Sequence, residues 1–192
     1  MMMLRKGAAL MLALGCAGAL AAGQGYGVDQ LMADLAQAGA GRARFVETRT
    51  VALLDRPLQF SGELRYTPPD TLEKHTEQPS SERLVLKGDI LSIDQGERHM
   101  SFNVGSRPEA MAFVESVRST LAGNREVLQR HFALALAGER AAWTLVLTPT
   151  EPIVQRLVTR ITMAGSAGQV RSIVYDQADG DRSEMTITPI EP

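Results

Sequence analysis

The side chains of this chain best suited to chemistry are three histidines and the carboxylates near them. His75, His99 and His131 fall in three separate predicted strands, without the short spacing that pairs of metal-binding histidines show. Glu73, His75 and Glu77 alternate along one strand, which places all three on one solvated face and makes a weak metal signal. We therefore expect solvated strand histidines and no metal site.

A group of aspartates near the end of the chain resembles half of a calcium loop. Asp176, Asp179 and Asp181 lie around Gly180, but a complete loop also ends in a bidentate Glu at fixed spacing. Asp-Gly between two apolar runs is also the usual composition of a hairpin turn. The segment is predicted to be a hairpin.

Catalytic motifs do not occur in the sequence. It contains no G-x-S-x-G elbow, no Walker A sequence and no G-x-G-x-x-G. Because these motifs are missing from the sequence, we expect a binding protein that needs no cofactor. A hydrolase acting on acyl groups is the enzyme alternative.

Residues 1–22 have the composition of a cleavable secretory signal. Arg5 and Lys6 precede an uncharged run rich in Ala, Leu and Met, which ends in an A-x-A sequence at Ala19 to Ala21. We therefore expect a protein of the periplasm of a Gram-negative bacterium. The alternative is a lipoprotein anchored through Cys16, although Leu14 stands where a lipobox has a small residue.

Residues 23–192 are expected to form one domain, because no linker or repeat divides them. The chain has 20 Lys and Arg against 22 Asp and Glu, and loss of the signal makes it more acidic. A nucleic-acid partner is not expected, since such proteins carry a basic stripe.

The hydrophobic pattern predicts a large antiparallel sheet with two or three helices. Helical spacing occurs at Val28–Ala38 and Pro108–Leu121, with a shorter stretch at 125–129. The first strand is predicted at Arg44–Leu54, and about nine further short strands follow at regular intervals with turns between them. A sheet of this size must curl or close, and the helices are available to cover its inner face. Plentiful Met (Met32, Met100, Met111, Met163, Met185) is typical of surfaces that accommodate variable hydrophobic partners.

Several short motifs, in order along the chain, resemble those of the periplasmic outer-membrane lipoprotein carrier proteins, the LolA-like family. They are Ala43–Thr48, Ser61–Leu64 with the Pro68 corner, Leu84–Asp89, Leu147–Pro149 and Thr186–Pro189. The resemblance implies an unclosed β-barrel of about eleven strands, with helices as a lid over a concave apolar face. It also implies a carrier that moves lipoprotein or lipid acyl chains from an inner-membrane donor to an outer-membrane acceptor.

Strand alternation places Leu58, Phe60, Leu64 and Tyr66 on one apolar side of their strand, and we expect this side to line the cavity that the resemblance implies. The expected strand residues are Leu58, Phe60, Leu64, Tyr66, Leu84 and Leu86, and the expected helix residues are Met111, Val114 and Val117. Family members have a basic latch residue before the Pro of the corner. Here Tyr66 and Thr67 precede Pro68, so the latch is missing or relocated. Because of this departure, the cargo could be a lipid instead of a lipoprotein. A protein-binding or lipoprotein-sensing module without transport is the alternative function.

Overall fold

The computed structural model describes residues 25–190, in which eleven antiparallel strands form one sheet. The strands are β1 (Gly41–Thr50), β2 (Leu58–Thr67), β3 (Thr71–Gln78), β4 (Glu82–Lys87), β5 (Ile90–Gln95), β6 (Arg98–Asn103), β7 (Phe132–Glu139), β8 (Ala142–Pro149), β9 (Val158–Ser166), β10 (Gln169–Gln177) and β11 (Arg182–Pro189). Their spatial order is β6-β5-β4-β3-β2-β1-β11-β10-β9-β8-β7. The outer strands β6 and β7 do not pair with each other, so the predicted unclosed antiparallel barrel is confirmed. The predicted signal and Cys16 lie outside the described residues.

The helices of the described residues are α1 (Val28–Ala38), α2 (Pro108–Leu121), α3 (Arg125–His131) and α4 (Pro152–Gln155), with a 3₁₀ turn at Val104–Ser106. The predicted bounds of α1 and α2 are confirmed. The prediction for His131 was wrong, because this residue ends α3 and does not lie in a strand. Helix α4 was not predicted, because its segment has the composition of a turn; Pro152 opens it at a position that needs no N–H donor. None of the helices in residues 25–190 has the length and apolar character needed to cross a membrane.

The first strand ends earlier than predicted. β1 stops at Thr50, and the chain then turns away, with the Ala52 N–H donating to Asp181 Oδ1 over 2.9 Å. Asp181 belongs to the turn between β10 and β11, whose strands pair in antiparallel register. The predicted hairpin at the aspartates is therefore confirmed, and one of its carboxylates fixes the neighbouring loop.

The main hydrophobic core lies on one half of the sheet. Side chains of α1, α2, α3 and α4 pack there against the inner faces of β7–β11. The largest fully buried side chains of this sealed half include Trp143, Leu145, Leu147, Ile161 and Met163. Each large aliphatic or aromatic side chain buried in this way stabilises the fold by about 1.5–3 kcal/mol.

The other half of the sheet presents an inner face that is less covered. The open half is defined here as the inner-facing side chains of β2–β6, which are mostly half-buried or exposed. Met100 and Phe102 on the edge strand are 46% and 45% exposed. The methionines divide accordingly: Met32 and Met163 belong to the sealed core, whereas Met100 lies on the open half. The sheet thus combines a filled core with an apolar surface that its own side chains leave accessible.

Candidate functional site

The strand residues predicted to line a cavity share the inner face of the sheet. Strand alternation places Leu58, Phe60, Leu64 and Tyr66 on the same side of β2. Register then joins this face to its neighbours, since Tyr66 is opposite Leu72 and Leu72 is opposite Leu86. Tyr66 and Leu86 are buried, Leu58 is exposed and Phe60 is half-buried. These side chains therefore form one apolar surface that runs across strands.

Two of the predicted residues lie close to the sealed core as well. Leu64 is half-buried and packs against the core cluster, as does Val117 of α2. Met111 and Val114 of α2 are half-buried. A substitution at Leu64 or Val117 would therefore disturb folding as well as any ligand, whereas residues farther out on the open half separate the two effects.

A cross-strand row on the open half includes side chains that were not predicted from the sequence to line the site. Register places Lys74 of β3 opposite Leu84 of β4, Leu84 opposite Ile93 of β5, and Ile93 opposite Met100 of β6. Alternation within β5 and β6 was the signal that could have identified Ile93 and Met100. The row extends the apolar surface from the middle of the sheet to its free edge.

An ionic cluster formed by side chains of β1, β3 and β11 interrupts the apolar inner face. It consists of Glu47, Arg49, Lys74 and Ser183. Glu47 is only 3% exposed. Arg49 Nε donates to Glu47 Oε1 over 2.6 Å, Ser183 Oγ donates to the same oxygen over 2.8 Å, and Lys74 Nζ donates to Oε2. Both carboxylate oxygens are therefore satisfied by donors from three strands.

Electrostatics keep this buried carboxyl charged. Burial alone would raise the pKa of Glu47, but hydrogen bonds from Arg49, Lys74 and Ser183, with the positive charge of Lys74, outweigh burial and lower the pKa to about 2. Burial, with a smaller contribution from the Glu47 charge, raises the pKa of the nearby Tyr175, so this phenol stays neutral. The Tyr175 ring packs at a tilt against Phe113 of α2 with centroids 4.7 Å apart, which brings α2, one of the helices that cover the sheet as a lid, beside the cluster.

Helix α2 is attached to the sheet by one arginine. Arg118 Nη1 donates to the carbonyl oxygen of Gly88, in the turn between β4 and β5, over 2.7 Å. The same guanidinium forms an ion pair with Glu115 and lies 3.7 Å from Asp89 Oδ1. A basic side chain therefore joins lid and sheet, but it stands on the helix and not before Pro68.

The opposite face of β1–β5 carries a polar cleft of about 550 Å³. Arg42 pairs with Glu63 over 2.8 Å, and Arg83 pairs with Glu73 over 2.7 Å. Such exposed pairs contribute little to stability, and the charged lining does not suit an acyl chain.

The same outer surface includes Glu73, His75 and Glu77, the residues whose spacing gave a weak indication of a metal site. Glu73 is engaged by Arg83, and Glu77 by Arg44 over 2.8 Å. Within residues 25–190, no group of three or more His, Cys, Asp or Glu side chains is arranged to hold a metal ion. The carboxylates beside His75 therefore serve ion pairs.

Comparison with solved structures finds matches at very low sequence identity, and those described here have TM-scores below 0.5. A LolA superfamily protein from Nitrosomonas europaea is 9% identical, with 85% of this chain and 92% of that chain covered and a TM-score of 0.47. A putative outer membrane lipoprotein-sorting protein domain from Vibrio parahaemolyticus is 8% identical (coverage 81% and 88%, TM-score 0.42). The Mycobacterium tuberculosis lipoprotein LppX is 11% identical (coverage 84% and 96%, TM-score 0.40). No curated protein matches the chain.

The family comparison covers nearly the whole described chain. The model of the outer membrane lipoprotein carrier protein LolA-like family matches residues 20–188. That range includes all eleven strands except the last residue of β11, together with the four helices. The protein is therefore a member of the outer membrane lipoprotein carrier protein LolA-like family.

Proposed function

We propose that this protein binds the acyl chains of a lipid or lipoprotein on the open half of its sheet and carries them between the inner and outer membranes. The observation that supports this most is the division of one continuous inner face into a sealed core on β7–β11 and an accessible apolar surface on β2–β6. Side chains such as Met100 and Phe102 leave almost half of their surface accessible, and this accessible apolar surface does not contribute to the folding of the domain itself.

The physical basis of the proposed binding is the hydrophobic effect. Each methylene transferred from water to an apolar surface contributes about 0.8 kcal/mol. An acyl chain along the row from Met100 to Leu84 would bury both its own surface and the exposed part of the row. Binding of this kind requires neither covalent chemistry nor a cofactor.

The setting of this activity is also part of the proposal. Residues 1–22 act as a cleavable export signal, and the remaining chain works as one domain in the periplasm. A membrane transporter would supply the acylated cargo and an acceptor at the outer membrane would receive it.

A charge on the open half should weaken acyl binding without unfolding the protein. We expect Met100→Glu to weaken binding of a fluorescent fatty acid, such as dansylundecanoic acid, by about tenfold or more, because the carboxylate must be desolvated under the acyl chain. Met100 is exposed, so the melting temperature should hardly change.

The matched control is the neighbouring residue on the other face. Ser101 pairs with Ser92 and points away from Met100, so Ser101→Glu adds the same charge outside the open half. This control should bind the probe like the unmodified protein. Equal affinity of the Met100→Glu variant and the control would contradict the placement of the site.

A further inference from the structure

The ionic cluster has no evident structural advantage where it lies. The inner face around it is apolar, and a buried ion pair is usually no more stabilising than well-packed hydrophobic residues of the same volume. Glu47 faces Phe60 across the strand pair, and Arg49 faces Leu58. Charges at these positions, beside an accessible apolar surface, suggest a role in recognising a ligand.

The cluster contains more positive than negative charge. Arg49 and Lys74 both contact one carboxylate, that of Glu47, whose oxygens are fully engaged. The inner face carries one more carboxylate on β4, that of Glu82, which lies opposite Thr76 and is not one of the groups that contact Arg49 or Lys74. Arg49 is 44% exposed at its side chain and Lys74 is 17% exposed, so a ligand can reach the guanidinium directly. Arg49 and Lys74 together carry two positive charges against the one negative charge of Glu47. They therefore provide N–H donors that Glu47 does not use, and one positive charge that Glu47 does not neutralise.

Both cations adjoin the apolar surface. The Arg49 guanidinium lies 4.5 Å from the centroid of the Phe60 ring, and Lys74 Nζ lies 4.8 Å from that of Phe45. Lys74 also forms the inner end of the cross-strand row that continues through Leu84 and Ile93 to Met100. Three strand intervals separate its two ends, about 14 Å at the usual strand spacing. This length suits an extended acyl chain with its polar head at Lys74.

We propose that Arg49 and Lys74 form an anion subsite that binds the negatively charged head group, a carboxylate or a phosphate, of an acyl lipid lying along the cross-strand row. This inference rests on the proposed function and specifies its ligand. Charge-assisted hydrogen bonds from a guanidinium and an ammonium are the donors that such head groups prefer. Glu47 orients both cations, and Ser183 fixes Glu47.

The test compares ligands that differ only in head-group charge. Oleate and methyl oleate share one acyl chain, and oleoyl lysophosphatidic acid shares its chain with the uncharged monooleoylglycerol. The first pair tests a carboxylate head group and the second pair tests a phosphate. We expect the anionic member of at least one pair to bind about tenfold more tightly, as one charge-assisted hydrogen bond provides. Arg49→Gln should reduce this preference to within about twofold while the affinity for the uncharged partner stays the same.

Two further variants complete the experiment. Arg49→Lys keeps the charge and should retain most of the preference. Arg44→Gln removes a cation from the outer face of the same strand, where it pairs with Glu77, and should retain all of it.

Equal affinity for charged and uncharged ligands, or a preference that survives in Arg49→Gln, would overturn the anion subsite and leave acyl binding intact. Failure of all four lipids to bind would overturn the proposed function and this inference together. Thermal melting of each variant establishes that a change in affinity is not a loss of fold.

Discussion

Replacing Glu47 with glutamine will lower the free energy of unfolding at pH 7 by about 3 kcal/mol. The pKa of this carboxyl falls from 4.5 to about 2 on folding, and each tenfold change in proton affinity corresponds to about 1.4 kcal/mol of preferential stabilisation of the charged form. Glutamine keeps the shape of the side chain but leaves Lys74 without a counter-charge in a mostly buried position. Urea unfolding of the two proteins measures the difference.

The outer face offers a matched control for this variant. Glu63 also contacts two arginines, Arg42 and Arg44, but its side chain is 33% exposed. Because exposed ion pairs contribute little, Glu63→Gln should lower the free energy of unfolding far less than Glu47→Gln does. Similar losses in both variants would show that the buried position of Glu47 has no special importance.

The difference between the unmodified protein and Glu47→Gln should also depend on pH. A carboxyl whose pKa is lowered on folding stabilises the protein fully above its unfolded pKa of 4.5, and the stabilisation is lost as pH falls through its folded value of about 2. The gap in unfolding free energy between the two proteins should therefore shrink from pH 5 towards pH 2. A gap that stays constant across this range would mean that Glu47 is not held in its charged form.

Removing the attachment of the lid helix should accelerate the release of an acyl ligand by about tenfold. Arg118 Nη1 donates to the Gly88 carbonyl oxygen over 2.7 Å, and the loss of one charge-assisted hydrogen bond is worth roughly that factor. The variant Arg118→Met/Glu115→Gln also removes the carboxylate that Arg118 neutralises, so that no charge is left buried. Stopped-flow displacement of a bound fluorescent fatty acid measures the dissociation rate.

An ion pair between two helices provides the control for the lid. Arg125 of α3 contacts Asp29 of α1 over 2.6 Å and does not join a helix to the sheet. Arg125→Met should therefore leave the dissociation rate unchanged. If the Arg118 variant is folded and releases its ligand at the original rate, the lid does not control release.

The regular elements of this fold could be predicted from the sequence because their signals are local. Alternation of polar and apolar residues identified the strands, and helical spacing identified α1 and α2 with their correct bounds. The exceptions also have local causes. Pro152 begins a helix within a segment that has turn composition, and β1 ends at Thr50 because Asp181 binds the backbone of the next loop.

The candidate site could be predicted only in part, because its arrangement depends on contacts between distant residues. Alternation placed Phe60, Leu64 and Tyr66 on one face, but it could not show which half of that face the helices would seal. The pairing of Glu47 with Lys74 joins residues 27 positions apart across the sheet, and no local pattern marks it. Arg118 likewise reaches Gly88 only through the docking of α2.

Binding of an acyl ligand by this protein can be measured directly by native mass spectrometry of the protein purified gently from its own host. We expect a bound adduct that organic solvent releases, with the mass of an acylated lipid or lipoprotein fragment. The same spectrum gives the mass of the mature chain. This mass shows whether the signal of residues 1–22 is removed or Cys16 is kept and lipidated. A protein that carries no adduct and takes up nothing from a total lipid extract would not be an acyl carrier, and a protein-binding module would then be favoured.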